Sequence, residues 1–386
     1  LEDVGVQLLC LLVHQMNYAL GLSIQLRLRY RQTTGSIPVQ QYFLSVSSNV
    51  LSEDVLKTSC HVSDITASKH TTYALKTERV NSPTKVLKME VVVLRALKNA
   101  RATHCCDILD SGRALGYNFI IMTLVGASLM DLRKNNKVKH NAFTMGCAIS
   151  VGIQTLESIQ ELHNVGFLHR DLKPANFAIC LNDGRKIYLL DFGMCRRYID
   201  NENAVRKPRW ASGFRGTQRY AAISCHISRE MARKDDLESW LYQQVLLRCP
   251  FPIMTMRKLQ IELTSGELPW KSLEDTVAIC NAKEKSRTTG LTQLFAGCPK
   301  EYIHIMFYID SLRYYDKPHY AVIRGLLRDA LTSNALSEFP YDWEVDQNKQ
   351  TASTPPGELK WNMWLGWTAS SIMKENQLSE EDPLRN

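Results

Sequence analysis

Eight consecutive residues, His169-Arg170-Asp171-Leu172-Lys173-Pro174-Ala175-Asn176, put a carboxylate, an ammonium and an amide within six positions, and Asp191-Phe192-Gly193 begins fifteen positions after Asn176. Such groups suit transfer of a phosphoryl group, which needs little covalent help from a protein and much positioning and charge stabilisation. Asp171 would accept or orient the proton of an attacking hydroxyl, and Lys173 would offset charge on the phosphate in transit. Asn176 and Asp191 would hold magnesium, because a hard cation takes carboxylate and amide oxygens. Upstream, Lys76 would contact nucleotide phosphates and pair with Glu90, fourteen positions later, a spacing that fits a strand, a turn and one helix. Any one of these motifs arises by chance; the whole set in this order does not. A small-molecule phosphotransferase would share Asp, Asn and Asp at similar spacing. It would usually lack the arginine of His-Arg-Asp and the long stretch after Asp-Phe-Gly.

The elements that must position these groups show in the apolar pattern. Residues 73–76 read as a short strand. Residues 84–97 carry Val86, Leu87, Met89, Val93, Leu94 and Leu97 at helical spacing. A buried strand is expected over 118–124 and a long amphipathic helix over 145–163, with Gly166 as its stop. Residues 187–190 form another apolar strand running into Asp191. The remainder, to about Asp342, is mostly helical in pattern. Residues 1–70 show no strong order signal. The tail from Glu344 is polar, contains Pro355-Pro356-Gly357, and reads as a flexible extension whose Trp361, Trp364 and Trp367 are expected to pack against the domain. There are no repeats.

Composition narrows the class. A chain of 386 residues with 45% hydrophobic and 22% charged residues has ample material for a core. The net charge of +8 favours acidic or phosphorylated partners, yet no basic stripe is interleaved with stacking aromatics, so nucleic acid is not expected as a partner. Eleven cysteines without a C-x-x-C pair read as reduced thiols, which puts the protein in the cytoplasm or nucleus. The apolar run at residues 4–13 is too short to span a membrane and lacks the basic flank of a signal peptide. No membrane association is expected. The chain begins at Leu1, so its true start is expected upstream.

From Tyr73 to about Glu344 the chain resembles the casein kinase 1 superfamily, most closely its tau-tubulin-kinase-like branch. The stretches that carry the likeness are YALKTE, VLKMEVVVL, GFLHRDLKPANFAI, LDFGMCRRY, GFRGTQRYAA, SREMARKDDLES, GELPW, GCPKEY and RYYDKPHY. The resemblance implies an α+β fold of two lobes, a small β-rich N-lobe with an incomplete glycine loop and a large helical C-lobe. It also implies ATP and magnesium and a protein substrate with serine/threonine specificity; a monomer is expected. Residues 61–125 would be a truncated small lobe and hinge, and 126–343 the large lobe. By the same resemblance Met122 would be the gatekeeper, with Thr123, Leu124 and Val125 lining the adenine hinge. Thr217 would brace Asp171 and Lys173, and Asp236 would tether the catalytic loop. Arg196, Arg197, Arg206, Lys207, Arg209, Arg215 and Arg219 form a basic cluster, and relatives bind acidic or phosphorylated substrates at such positions. Arg219, with Arg215 beside it, would serve that anion site. A second basic position of the site is Glu274 here, and a solvated basic face is the alternative.

Two stretches depart from the family pattern. The window 52–72, where a glycine-rich loop should close over the phosphates, has no glycine. The span from Asp235 to Trp270 is 36 residues, longer than in the family, and removing 246–261 restores the family length. Pro250 and Pro252 would break a helix there, so the central helix should end near Leu247 or loop out. Segments 1–60 and 246–261 are read as products of misassigned exon boundaries or retained intron sequence. The expected function is a serine/threonine protein kinase favouring acidic or phosphorylated substrates. The alternative is a catalytically impaired pseudokinase acting as a binding scaffold.

Overall fold

A computed structural model of the chain describes residues 24–29, 41–46, 60–64, 72–114, 116–135, 142–247 and 267–344. These fall into two compact units. One takes the described residues up to Lys98 together with Cys106–Val125; the other takes Asn99–Cys105 and the described residues from Gly126 onward.

The first unit is an antiparallel sheet with one helix. Strands β1 (Ile24–Arg29), β2 (Gln41–Val46), β3 (Cys60–Asp64), β4 (Thr72–Arg79), β5 (Ile108–Ala114) and β6 (Tyr117–Thr123) lie in the order β1-β2-β3-β4-β6-β5. The expected strands at 73–76 and 118–124 are β4 and β6, paired so that Lys76 lies opposite Ile120. Helix α1 (Leu87–Asn99) buries Leu87, Glu90, Val93, Leu94 and Leu97, the apolar stripe the sequence shows plus one carboxylate. The absence of an order signal over 1–70 needs correction: the backbone there contributes three strands to the sheet. The glycine-free window surrounds β3, and its stretches on either side lie outside the described residues.

The second unit is helical with small ribbons. Its longer helices are α3 (Met145–Asn164), α5 (Arg233–Leu247), α6 (Thr276–Lys285), α8 (Glu301–Ser311) and α9 (Tyr320–Ser333); α2 (Leu129–Asn135), α4 (Ile223–His226) and α7 (Leu291–Leu294) are short. Strand β7 (Val125–Ser128) lies in a sheet with β9 (Phe177–Cys180) and β10 (Ile187–Leu189), while β8 (Phe167–Leu168) pairs with β11 (Arg196–Arg197). Helix α3 stops where expected, because Gly166 adopts φ 86° and a Cβ there would collide with Ile199. Every residue of α5 except Lys234 is buried. That explains why RKDDLESWLYQQVLL has no apolar stripe: polar side chains on a buried helix must find partners, and here many reach the backbone of loops. Residues 195–222, expected to be mostly helical, contain no helix; Gly216 at φ 107° and Pro208 interrupt the pattern. Leu246 and Leu247, the first residues of the 246–261 stretch, continue α5 and are buried, and residues 248–261 lie outside the described part.

A short strap closes the N-terminal end of α3. Asp342 accepts hydrogen bonds from the Thr144 N–H (2.6 Å) and hydroxyl (2.9 Å). Tyr341 meets the Ser150 hydroxyl at 2.9 Å and accepts from Gln154 Nε2 at 2.8 Å. Trp343 packs edge-on against Phe143 and donates to the Gly184 carbonyl at 2.9 Å. The polar tail with its three tryptophans lies outside the described residues. Among the described residues no helix is long and apolar enough to cross a membrane.

Candidate active site

The site residues expected from the sequence fall into two groups, one in each unit. In the first unit, alternation along β4 turns Lys76 and Glu78 to the same side. Lys76 pairs with Glu90 of α1, both side chains largely buried. Glu78 Oε1 accepts from the N–H groups of Val86 (2.7 Å) and Leu87 (3.2 Å), the exposed donors at the start of α1. Two residues of one strand thus fix both the position and the N-terminus of the helix that carries Glu90. Met122 is half-buried on β6 opposite Ala74. Thr123 ends that strand and bonds to Asp107 through both backbone and hydroxyl, its N–H donating to Asp107 O and its Oγ1 accepting from Asp107 N–H, each at 3.0 Å. Leu124 and Val125 are buried.

In the second unit, the loop after β8 is held from below by Asp236 of α5. Its carboxylate accepts from the N–H groups of His169 (2.7 Å) and Arg170 (2.8 Å). It also contacts His163 Nε2 at 2.9 Å. A carboxylate only accepts, so Nε2 carries the proton, and in the neutral ring Nδ1 accepts from the Tyr320 hydroxyl at 2.6 Å. Burial opposes the charge on Asp236, yet the His163 hydrogen bond, the nearby His163 and His169 rings and the backbone donor outweigh it and hold the pKa below the usual range. His169 is fixed by the same logic. Nε2–H donates to the Leu190 carbonyl (3.0 Å), so Nδ1 accepts from the Asp171 N–H (3.3 Å).

Asp171 is then gripped on all sides. Thr217 donates to its Oδ1 at 2.8 Å, and Lys173 Nζ lies 2.9 Å from its Oδ2 and 3.0 Å from Thr217 Oγ1. Asn176 Nδ2 donates to the Asp171 carbonyl at 2.8 Å. The Leu190 N–H donates to the Asn176 carbonyl (2.8 Å), which joins the backbone bearing Asp191 to the backbone bearing Asn176. Asp191 itself adopts φ 60°, and Arg170 adopts φ 68°. Both are left-handed conformations that a non-glycine residue keeps only when its surroundings impose them. Close approach also explains Gly216. A Cβ there would lie 2.5 Å from the Arg170 carbonyl oxygen.

The sequence that builds this site has relatives among known proteins. Residues 57–240 match the family described as protein kinase domain. Serine/threonine-protein kinase spe-6 of Caenorhabditis elegans is 33% identical over 294 residues, 74% of this chain and 72% of that protein. The chain belongs to the serine/threonine protein kinases. A protein of Dictyostelium discoideum named a probable serine/threonine-protein kinase is 38% identical over 278 residues, 71% of this chain. The match spans about half of that relative, 52% of its length. The sheet-rich small lobe and helical large lobe are those of the kinase domain.

Within this kinase, the basic cluster is partly spent internally. Glu230 pairs with Arg196 (2.9 Å) and with Arg209, and the Arg206 Nε donates to the Ile199 carbonyl at 2.9 Å. Arg215 is exposed, and Arg219 is half-buried on a segment whose carbonyl accepts from Trp270 Nε1 at 2.8 Å. Sequence reasoning passed over Glu78, His163, Gly216 and Tyr320. A two-residue step from Lys76 marks Glu78, and the FRGT motif contains Gly216. Nothing local marks His163 or Tyr320: the Asp236 partner of His163 is 73 positions away, and the His163 partner of Tyr320 is 157 positions away.

Proposed function

We propose that this kinase transfers the γ-phosphate of ATP to serine or threonine hydroxyls of proteins, as a casein kinase 1 superfamily member of the tau-tubulin-kinase-like branch. The observation that carries the reading is the grip on Asp171: with Oδ1 bound by Thr217 and Oδ2 beside Lys173, the carboxylate has one orientation in which to take a hydroxyl proton. Lys173, 2.9 Å from Oδ2, would offset charge on the transferring group. Lys76, kept in place by Glu90, would hold nucleotide phosphates, and Met122 to Val125 would line the adenine site. Asn176 spends its amide nitrogen on the Asp171 carbonyl, which leaves its amide oxygen as a potential metal ligand, and Asp191 would add a carboxylate. That oxygen pair fits magnesium, which takes few protein carboxylates and completes its shell with phosphates and water. When bound, the metal supplies charge neutralisation on the phosphates.

Arg215 and Arg219 are the candidates for binding acidic or phosphorylated substrate, since Arg196 and Arg209 share the Glu230 carboxylate as an internal partner. Cys180, Cys225 and Cys280 are free thiols, consistent with a reducing compartment, cytoplasm or nucleus. The scaffold reading draws on the glycine-free window at 52–72. One experiment separates the two. Purified chain given Mg-ATP and dephosphorylated casein should incorporate phosphate at serine or threonine, and Asp171→Asn should not. A folded chain that transfers nothing overturns the activity. Thermal stabilisation by nucleotide that Asp191→Ala abolishes would then show a nucleotide-binding scaffold.

A further inference from the structure

Lys283 of α6 is fully buried, an unusual fate for a lysine. Its ammonium donates to the carbonyls of Gln218 (2.6 Å) and Ala221 (2.7 Å) and meets His226 Nε2 at 2.9 Å. An ammonium has three donors and no acceptor, so three acceptors satisfy it and His226 Nε2 must be unprotonated. The rings of Tyr242 and Trp270 flank it at 5.2 and 5.3 Å, adding cation–π contacts. A neutral His226 agrees with its environment: burial first, and the Lys283 charge second, push its pKa down to about 4.

The three acceptors bracket one stretch of chain, residues 218–226. It follows Thr217 directly, and Thr217 holds Asp171. It also carries Arg219. No strand pairs with this stretch; other side chains hold its backbone, as Glu238 Oε1 accepts from the Ile223 N–H (3.1 Å) and Trp270 donates to the Arg219 carbonyl. A hydroxyl that reaches Asp171 brings the flanking residues of its protein against the chain beside Thr217. The shape of 218–226 therefore decides how a protein substrate lies, while nothing in it bears on ATP.

We propose that Lys283 is a positioning residue for the protein substrate, the buried pin that ties Gln218, Ala221 and His226 into the shape on which docking depends. The proposal rests on the kinase reading above. Its test uses the full chain, Mg-ATP and dephosphorylated casein. Lys283→Met should raise KM for casein about tenfold, as expected for losing charge-assisted bonds, with KM for ATP unchanged and kcat falling less than KM rises. Lys283→Arg, which can still donate to both carbonyls, should recover part of the loss. A folded Lys283→Met with wild-type KM for casein overturns the proposal and leaves the kinase reading intact. If Lys283→Met does not fold, His226→Ala serves instead, with KM for casein raised about threefold and KM for ATP constant; an unchanged casein KM in that variant also overturns it. If the wild type transfers no phosphate, the kinase reading fails and hydrogen exchange decides. Faster exchange in Lys283→Met or His226→Ala confined to 218–226 supports the pin, and exchange equal to wild type overturns it.

Discussion

Asp171 owes its orientation to four residues from three parts of the chain: Lys173 and Asn176 of its own loop, Thr217 and, through the His169 and Arg170 backbone, Asp236. Replacing it by Asn keeps the shape and one acceptor oxygen for Thr217, but it loses the oxygen beside Lys173 and the proton acceptor. Asp171→Asn should therefore lower kcat about 10²- to 10⁴-fold in steady-state assays with little change in melting temperature or KM for ATP. Gly216 tests a different quantity. An alanine there must hold φ 107° and stand 2.5 Å from the Arg170 carbonyl oxygen. Gly216→Ala should cost on the order of 1–3 kcal/mol in denaturant unfolding, and it should slow turnover because relief of the clash moves Thr217 or Arg170.

At the scale of elements, β4 and α1 act as a couple. Glu78 caps the helix whose first turn presents Glu90 to Lys76. Glu78→Ala should destabilise the domain by about 1 kcal/mol, the usual value of a lost helix cap, and raise KM for ATP. Chemical denaturation and nucleotide titration read the two effects separately. How legible these elements are depends on periodicity. Helices α1 and α3 and strands β4, β6 and β10 carry clean apolar patterns and were readable to within three residues. β1 was readable in principle, since IQLRLR alternates, but a six-residue alternation far from any motif gives no strong signal. α5 defeats periodicity because both its polar and apolar faces are buried. Lys283 was invisible for a related reason: in NAKEKS it looks like one of two surface lysines, and it is packing by α4, the 218–221 turn and the Tyr242 and Trp270 rings that buries it. The catalytic motifs were legible because phosphoryl transfer demands particular side chains, whereas their supports need only reach, and many sequences supply reach.

For the whole molecule, the buried ionisable groups set the pH range of stability. Burial would raise the Glu161 pKa, but hydrogen bonds from His104 and Thr103 overcome it and bring the pKa to about 2 from 4.5. The folded value lies below the unfolded one, so Glu161 stabilises the protein above pH 4.5 and that contribution is lost as pH falls toward 2. His226, lowered from 6.5 to about 4, stabilises above pH 6.5 and loses its contribution as pH falls toward 4. Lys283, pushed from 10.5 to about 7 chiefly by burial, is unfavourable while charged, and stability gains as pH rises from 7 toward 10.5. Melting temperature should accordingly decline below pH 6.5, and His226→Gln should flatten the first part of that decline. The strap at 341–344 has a consequence of another kind. Tyr341 and Trp343 are buried against α3, and Arg185 reaches out to Glu344. A protease that cut before Tyr341 would bare Phe143 and leave the Thr144 N–H without Asp342, so limited digestion of the native protein should spare 341–344 and keep it with every native fragment that contains Phe143. Mass spectrometry of the fragments reads this directly, since a native fragment with Phe143 that ends before Tyr341 would contradict it.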